Sequence, residues 1–284
     1  MSDAAELQAQ QVAYWNGPGG AHWVAEQERT DLIMAGSAAL ALARADARPG
    51  EIVIDVGCGC GTTTMGLAKA VSPGGRVVAL DVSAPMLGWA RERMAGAETV
   101  EFVLADAANH DFDGLAADLL FSRFGVMFFG DPTAAFANLR KALKRGGRVV
   151  FACWREPSLN PWMLVPLAAA YEHVPRLPKL GPEEPGPFSF GDAARVERIL
   201  GGAGYVDIAL EPVDLAMDLA GGKGLEAAVS FVLEIGATSR ALQDQPLELR
   251  AKAVESVRRA LAAYVQGETV PLPAAIWIVR ATAP

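Results

Sequence analysis

Three acidic residues lie within, at the end of, or just after a short apolar run. Each could contact a different part of a nucleoside-containing ligand. Asp55 lies in the first run, Asp81 ends the second, and Asp106 follows the third. The carboxyl ends of parallel strands meet at one edge of a sheet, where open α/β proteins bind their ligands. There, Asp81 could accept both ribose hydroxyls, Asp106 could accept the adenine amino group, and Asp55 could pair with an ammonium group.

The first acid begins the glycine-rich sequence Asp55-Val56-Gly57-Cys58-Gly59-Cys60-Gly61, at a predicted turn from strand to helix. Glycines let a ligand approach the backbone, and a helix N-terminus offers free amides. The dinucleotide fingerprint is G-x-G-x-x-G and faces a pyrophosphate. Here the spacing is G-x-G-x-G, and the preceding carboxylate would repel pyrophosphate. S-adenosylmethionine offers an ammonium group for that carboxylate and a carboxylate for the helix N-terminus, so the sequence favours this cofactor.

The remaining candidates follow from their positions beside these strand ends. Val82 and Met86 could pack on the adenine faces, and the amide of Ala107 could meet a ring nitrogen. The predicted cofactor contacts are Asp55, Gly57, Gly59, Gly61, Asp81, Val82, Met86, Asp106, Ala107 and Ser122. The predicted acceptor contacts are Arg123, Phe124, Met127, Trp154 and Trp162.

Two further assignments have structural alternatives. Arg123 follows the fourth apolar run and could pair with an acidic substrate group, or only with Asp118 or Asp131. His22 and His173 are the candidate general bases, although a histidine at a helix end often only faces the helix dipole.

The motifs DVGCGCG, LDVSAPML, LADA and SRFGVMFF, followed by GGRVVFACW, resemble those of bacterial class I methyltransferases. The similarity is to the small-molecule branch that includes ubiquinone- and menaquinone-type methyltransferases, and it covers about residues 14–203. The resemblance implies that Asp55, Gly57, Gly59, Asp81 and Asp106 contact the cofactor. It also implies that the last two strands form an antiparallel hairpin at the edge of a seven-stranded sheet.

The elements that must position these residues are strands alternating with helices. Apolar runs at 52–56, 76–80, 100–104, 118–121 and 148–154 predict buried parallel strands, and helical patterns separate most of them. Further strands are predicted around 206–210 and 275–280. The predicted fold is therefore α/β, a doubly wound, seven-stranded Rossmann-like sheet with an antiparallel C-terminal hairpin and helical cap insertions.

We expect one domain over residues 1–284 with three additions to the sheet. Residues 1–29 are predicted to be an N-terminal lid, with a helix over 4–16 followed by a flexible loop, Asn16-Gly17-Pro18-Gly19-Gly20. Residues 155–190, with a helix over 162–173, and residues 215–269, with two helices, are predicted to be helical caps.

Composition excludes several classes of protein. The formal net charge of −8 argues against a nucleic-acid partner, because phosphate binding depends on Lys and Arg. No apolar run approaches the length needed to cross a bilayer. Three cysteines are too few for a disulfide framework, which favours a reducing cytoplasm. No cluster has the spacing of a metal site. The oligomeric state stays open.

The predicted activity is S-adenosylmethionine-dependent methyl transfer to a small, largely apolar acceptor by in-line displacement, without a metal ion. Two alternatives stay open. One is a nucleotide-dependent oxidoreductase, although the dinucleotide glycine spacing is absent. The other is a methyltransferase-like module that binds a partner without catalysis.

Overall fold

The computed structural model describes residues 3–112, 114–181 and 183–284. Met1 and Ser2 of the predicted lid lie outside the described residues, and so does Pro182 of the first predicted cap.

The described residues form a seven-stranded sheet with the strand order β3-β2-β1-β4-β5-β7-β6. The first five strands are parallel, and β7 pairs antiparallel with both β5 and β6. This confirms the predicted doubly wound sheet with its antiparallel C-terminal hairpin. The strands are β1 Ile52–Val56, β2 Arg76–Asp81, β3 Val100–Leu104, β4 Ala117–Arg123, β5 Leu143–Trp154, β6 Val206–Asp218 and β7 Pro271–Thr282.

Helices connect most of the parallel strands. Further helices precede β1 and lie between β5 and β7. Polar caps or an N-terminal proline mark several of their first turns, such as Ser83 before α6 and Asp131 before α7. The helices are α1 Asp3–Asn16, α2 Pro18–Ala25, α3 Gln27–Ile33, α4 Ala35–Ala45, α5 Thr62–Val71, α6 Ala84–Arg93, α7 Pro132–Lys141, α8 Pro161–Ala170, α9 Ala193–Gly202, α10 Leu225–Glu234, α11 Ala237–Leu242 and α12 Leu247–Ala262.

The predicted flexible loop after α1 is wrong. Only Gly17 separates α1 from α2, because Pro18 fits the first turn of a helix. Gly19 and Gly20 are buried in α2, and a Cβ atom at Gly20 would lie 2.1 Å from the carbonyl oxygen of Trp15. These glycines therefore allow close packing of α2 against α1 rather than forming a hinge.

The second predicted cap also differs from the prediction in its details. Residues 215–218 belong to β6, and three helices follow instead of two. Gly236 precedes α11 with φ of 89°, and Pro246 precedes α12, so these residues interrupt the apolar pattern. Helix α8 packs against α11, α12 and β7, which joins the two predicted cap segments in one helical layer. None of the described helices is both long enough and apolar enough to span a bilayer.

Candidate active site

A cavity of about 220 Å³ lies beside the carboxyl ends of β1, β2 and β4. One side is formed by the glycine-rich turn together with Asp81 and Asp106. The other side carries the aromatic residues Phe124, Trp154 and Trp162. Residues of α1, α3 and α11 complete the lining, so the N-terminal helices and the second cap both close over the strand ends.

The glycine-rich turn brings its backbone to the cavity through two residues with positive φ. Gly57 has φ of 67° and Gly59 has φ of 55°, and both line the cavity. A Cβ atom at Gly57 would lie 2.7 Å from the Cα atom of Gly125, so the turn packs directly on the segment after β4. Gly61 is not part of the cavity lining, although it was predicted to contact the cofactor. It precedes α5 and allows that helix to approach Ala90 of α6.

Asp81 holds the turn in place and faces the cavity. Its Oδ2 accepts a hydrogen bond from the Gly59 amide at 2.7 Å, and its Oδ1 accepts one from the Ser83 amide at 2.8 Å. Burial raises the pKa of this carboxyl, while the backbone hydrogen bonds oppose that rise. A carboxylate oxygen can accept more than one hydrogen bond. Asp81 therefore keeps acceptor capacity for the ribose hydroxyls.

Asp55, also predicted to contact the cofactor, lies behind the turn and does not line the cavity. Its Oδ2 accepts hydrogen bonds from Thr64 Oγ1 at 2.7 Å and from Thr63 Oγ1 at 3.3 Å. Its Oδ1 is buried without a hydrogen-bond partner among the described residues. Burial raises its pKa to about 6, although both threonine hydroxyls act in the opposite direction. Asp55 thus anchors the first turn of α5.

Asp106 lines the cavity together with Ala107, Val82 and Met86, which are further predicted cofactor contacts. Its Oδ1 accepts a hydrogen bond from the Ala108 amide at 2.9 Å, and its Oδ2 accepts one from Gln8 Nε2 at 3.0 Å. Gln8 was missed in the sequence, because a single glutamine in a polar helix gives no signal of a partner 98 positions away.

Gln8 connects α1 to two parts of the sheet edge. Its Oε1 accepts a hydrogen bond from the Gly130 amide at 2.7 Å while its Nε2 donates to Asp106. Further along α1, the Trp15 ring packs edge-on against Phe128, with 5.2 Å between ring centroids. These contacts position α1 across the mouth of the cavity.

Arg123 lines the cavity but has neither of its predicted structural partners. Asp118 pairs with Lys144 and accepts a hydrogen bond from the Ile52 amide, and Asp131 caps α7. The Nε and Nη1 atoms of Arg123 are buried without a hydrogen-bond partner among the described residues. Burial lowers its pKa, and the nearby carboxylates of Asp31 and Asp55 oppose that effect.

The neighbouring Ser122, another predicted cofactor contact, is fully buried and absent from the cavity lining. Its hydroxyl donates to the Val56 carbonyl at 2.8 Å and accepts from the Gly125 amide at 3.2 Å. Ser122 therefore ties the end of β1 to the turn after β4.

Four of the five predicted acceptor contacts, Phe124, Met127, Trp154 and Trp162, form a continuous apolar wall. Phe124 stacks on Trp154 with 4.2 Å between ring centroids, and Trp154 lies 5.0 Å from Trp162. The Met127 sulfur lies 3.5 Å from the Trp154 amide nitrogen, which donates to it. All four side chains line the same cavity as Asp81, so the structure brings the predicted cofactor and acceptor residues together.

The two histidines that were predicted as candidate general bases are not part of this arrangement. His22 is exposed on α2 and faces a separate shallow depression. His173 follows α8, and its Nε2 lies 2.9 Å from the Ser256 hydroxyl of α12. Neither lines the main cavity, so His173 joins two helices of the cap.

Asp31 is a cavity residue that the sequence pattern did not indicate. It accepts hydrogen bonds from Thr62 Oγ1 at 2.6 Å and from Arg93 Nη2 at 3.1 Å. Arg93 also donates to the Cys60 carbonyl at 2.6 Å. This network attaches α3 to α5 and α6, and it joins residues too far apart in sequence for any local pattern to reveal.

Metal-ligating and thiol groups form no further reactive site in the part of the chain that the structure describes. No group of three or more His, Cys, Asp or Glu side chains there is arranged to hold a metal ion. Cys58 and Cys60 are buried free thiols on the cavity wall. Burial raises the pKa of Cys60 to about 12 and raises that of Cys58 as well, so both stay protonated near neutral pH.

The seven-stranded sheet with its antiparallel C-terminal strands is the Rossmann-like fold found in solved methyltransferase structures. Residues 53–147 match the family model described as "Methyltransferase domain". This segment includes the glycine-rich turn and the cavity residues Asp81, Asp106 and Arg123.

Curated relatives are similar to part of the chain. The nocamycin O-methyltransferase of Saccharothrix syringae is 33% identical over 57% of this chain and 62% of its own length. The demethylmenaquinone methyltransferase of Clavibacter sepedonicus is 38% identical over 38% of this chain and 43% of its own. The matched region thus spans less than two thirds of each relative.

Solved structures share the fold over most of the chain. A candidate methyltransferase of Bacillus halodurans C-125 matches with a TM-score of 0.56 and 17% identity, over 88% of this chain and 99% of its own. Phosphoethanolamine N-methyltransferase 2 of Haemonchus contortus, solved with phosphomonomethylethanolamine and S-adenosylhomocysteine, matches with a TM-score of 0.53 and 19% identity. That match covers 88% of this chain and 52% of the other.

The residues present fit S-adenosylmethionine on chemical grounds. Two glycines expose their backbone to the cavity, and two carboxylates retain acceptor capacity. Two nitrogens of the Arg123 guanidinium lack a hydrogen-bond partner among the described residues. Carboxylate acceptors and a guanidinium therefore border the same cavity.

Proposed function

We propose that the protein transfers a methyl group from S-adenosylmethionine to a small, largely apolar acceptor by in-line displacement, without a metal ion. One observation carries this proposal. A single cavity combines the acidic, glycine-lined half expected for a nucleoside with the aromatic wall of Phe124, Trp154 and Trp162.

Each residue that faces the cofactor half of the cavity has a proposed role in binding. Asp81 accepts hydrogen bonds from the ribose hydroxyls, and Asp106 accepts one from the adenine amino group. Val82 and Met86 pack against the adenine ring, and the backbone of Gly57 and Gly59 allows close approach. When bound, S-adenosylmethionine supplies an electrophilic methyl group on a sulfonium centre.

The remaining work of the chain is alignment and the exclusion of water. A displacement needs the reacting atoms held about 3 Å apart and in line. The stacked rings of Phe124 and Trp154 offer a rigid surface for a flat apolar acceptor. The Trp15 ring, packed against Phe128 and Trp23, shields the mouth of the cavity from solvent.

The names of the curated relatives support an acceptor of small-molecule size, since they refer to nocamycin and demethylmenaquinone. The net charge of −8 argues against a nucleic-acid acceptor. The three cysteines are free thiols, which supports activity in the cytoplasm.

Calorimetry separates this function from its two rivals. S-adenosylmethionine and S-adenosylhomocysteine should bind, and NAD and NADP should not. Tight binding of a nicotinamide dinucleotide alone would support the oxidoreductase. Absence of binding by every one of these ligands would support a non-catalytic module. With an acceptor identified, turnover should survive EDTA, and restoration of a lost activity by Mg²⁺ would exclude the metal-free mechanism.

A further inference from the structure

Two arginines line the cavity: Arg240 is exposed on α11, whereas Arg123 carries buried nitrogens without a hydrogen-bond partner among the described residues. Arg123 ends β4, lines the cavity, and has two guanidinium nitrogens, Nε and Nη1, buried without a hydrogen-bond partner among the described residues. A buried ionised group without a partner is costly, and such groups in folded proteins are nearly always satisfied. Because this guanidinium also lines the cavity, an anion bound there would supply the partner that its charge lacks.

The carboxylates around the cavity already have protein partners. Asp31 pairs with Arg93 and accepts from Thr62, Asp81 accepts from two backbone amides, and Asp106 accepts from the Ala108 amide and Gln8. None of them forms an ion pair with Arg123. Asp31 and Asp55 act on this guanidinium only through space, so an anion that hydrogen-bonds to it has to come from outside the described residues.

The cavity also lacks a group that could remove a proton from an acceptor. Its described lining contains no histidine or lysine, and both of its cysteines are held protonated by burial. Its three carboxylates are held by the hydrogen bonds described above. An acceptor that arrives already ionised needs no base, whereas a neutral alcohol or amide would need one.

We propose that the methyl acceptor carries an ionised oxygen group, a carboxylate or an acidic phenol or enol, and that Arg123 binds this group beside the wall formed by Phe124 and Trp154. This inference rests on the proposed function. In the transfer, the anionic oxygen forms the new bond to the methyl carbon. The sulfur–carbon bond breaks, and its electron pair remains on sulfur. The acceptor loses its negative charge as the sulfonium loses its positive charge, so no proton changes place.

Arg123 could instead bind the carboxylate of the cofactor. The anionic group could thus come from either of two sources, the acceptor or the cofactor. The two sources differ in their dependence on the amino-acid part of the cofactor. 5′-Methylthioadenosine has the adenosine and sulfur of S-adenosylhomocysteine but lacks that amino-acid part. Comparison of the two compounds therefore tells the sources apart.

The test uses the full chain saturated with S-adenosylhomocysteine and two flat probes of matched shape, 1-naphthoate and 1-naphthamide. Binding is followed by tryptophan fluorescence and calorimetry. The wild type should bind the naphthoate about tenfold more tightly or better, because a hydrogen bond to a charged group in a buried site is strong. Arg123→Gln should remove this preference, and Arg123→Lys should keep part of it, because lysine retains the charge without the planar fork.

Arg250→Gln is the matched control, since it removes the same charge from the exposed side of α12 and should leave the preference unchanged. Equal affinity for the two probes in the wild type, including binding of neither, would overturn the inference. A preference that persists in Arg123→Gln would do the same. So would an Arg123→Gln variant that loses affinity for S-adenosylhomocysteine but not for 5′-methylthioadenosine. Failure of wild-type protein to bind S-adenosylhomocysteine would instead reject the proposed function itself.

Discussion

Phe124 and Trp154 stack almost face to face, with 6° between their ring planes, although Phe124 has a backbone φ of 66°. A positive φ is rare for a bulky residue and costs about 1–3 kcal/mol. The surrounding structure maintains it, because the turn after β4 must bring Gly125 against Gly57 and direct the Phe124 ring into the cavity. The strained residue thus links the glycine-rich half of the site to the aromatic wall.

Substitution of Phe124 should separate the strain of the backbone from the contribution of the ring. Both Phe124→Ala and Phe124→Gly lose the stack and should lower the free energy of unfolding. The glycine variant should lose about 1 kcal/mol less, because glycine adopts positive φ without steric cost. Urea denaturation of the two variants measures the difference. If the alanine variant proved as stable as the glycine variant, the backbone at position 124 would not be strained.

Removal of the Asp81 carboxylate should weaken cofactor binding. Asp81→Ala deletes a charged acceptor for the ribose hydroxyls, a hydrogen bond worth about 1.5–3 kcal/mol, so affinity for S-adenosylhomocysteine should fall by about 10-fold to 150-fold. Calorimetry measures this change directly. Asp192→Ala, which removes a helix cap of α9, is the matched control and should lower stability without changing affinity. Unchanged affinity in Asp81→Ala would reject the ribose site.

Asp55 should make the protein less stable as the pH rises from about 4 to about 6. Its folded-state pKa is about 6 against an ordinary value of 3.8, so the folded state binds this proton more tightly than the unfolded state does. Stability therefore falls with rising pH between these values and levels off above them, by a total on the order of 2–3 kcal/mol. Asp55→Asn cannot titrate and should lose this part of the pH dependence.

Chemical denaturation of wild type and Asp55→Asn at several pH values between 3.5 and 7.5, roughly the range spanning both pKa values, isolates this effect. Taking the difference between the two proteins removes the contributions of other carboxyls, such as Glu51 and Asp118, whose pKa values are lowered. A stability difference that stays constant across this range would show that Asp55 is ionised with an ordinary pKa.

Replacement of Arg123 by methionine should stabilise the ligand-free protein. The buried Nε and Nη1 atoms have no hydrogen-bond partner among the described residues, and an unsatisfied buried polar group costs about 1–3 kcal/mol. The matched control is Arg148→Met, which breaks a paired guanidinium with hydrogen bonds of 2.8 Å to both Glu51 oxygens and should destabilise the fold. Thermal unfolding should shift in opposite directions for the two variants. A loss of stability in Arg123→Met would indicate a structural role instead.

The sequence predicted the sheet well because most of its parallel strands are buried. Runs such as Ile52–Val56 are largely apolar for that reason, and the first two strands end at or just before a residue, Gly57 or Asp81, that marks the carboxyl edge. Position at that edge was enough to predict that Asp81, Asp106, Arg123 and Phe124 would border one cavity.

The predictions failed where packing between distant segments decides the outcome. Gly61 and Ser122 resemble the neighbouring cavity residues in sequence, but Gly61 serves the contact between two helices and Ser122 joins two strands. The partnership of Gln8 with Asp106 depends on the course of α1 across the sheet edge. No local pattern encodes such a course, so cofactor contacts from the N-terminal helices could not be derived from spacing alone.

The N-terminal segment remains a predicted lid, although its mechanism must differ from a glycine hinge. Within the described part of residues 1–29, the side chain of Asn16 donates to the Val82 carbonyl at 2.8 Å, and Ser83 donates to the Trp15 carbonyl at 2.6 Å. These contacts fasten the end of α1 next to the cofactor residues, whereas its beginning is held to the sheet edge through Gln8. Motion should therefore involve detachment of α1 rather than bending at Gly17–Gly20.

Cofactor binding should strengthen this attachment, because a ligand that fills the cavity would pack against Trp15 and Trp23, which line it. Hydrogen exchange of residues 10–25 should slow clearly when S-adenosylhomocysteine is added, while exchange in the buried strand β1 should change little. Gln8→Ala should speed exchange of the first turns of α1 in the free protein, and Gln10→Ala, one exposed position on the same helix, is its matched control. Equal protection of residues 10–25 with and without ligand would mean that the segment is a fixed part of the scaffold.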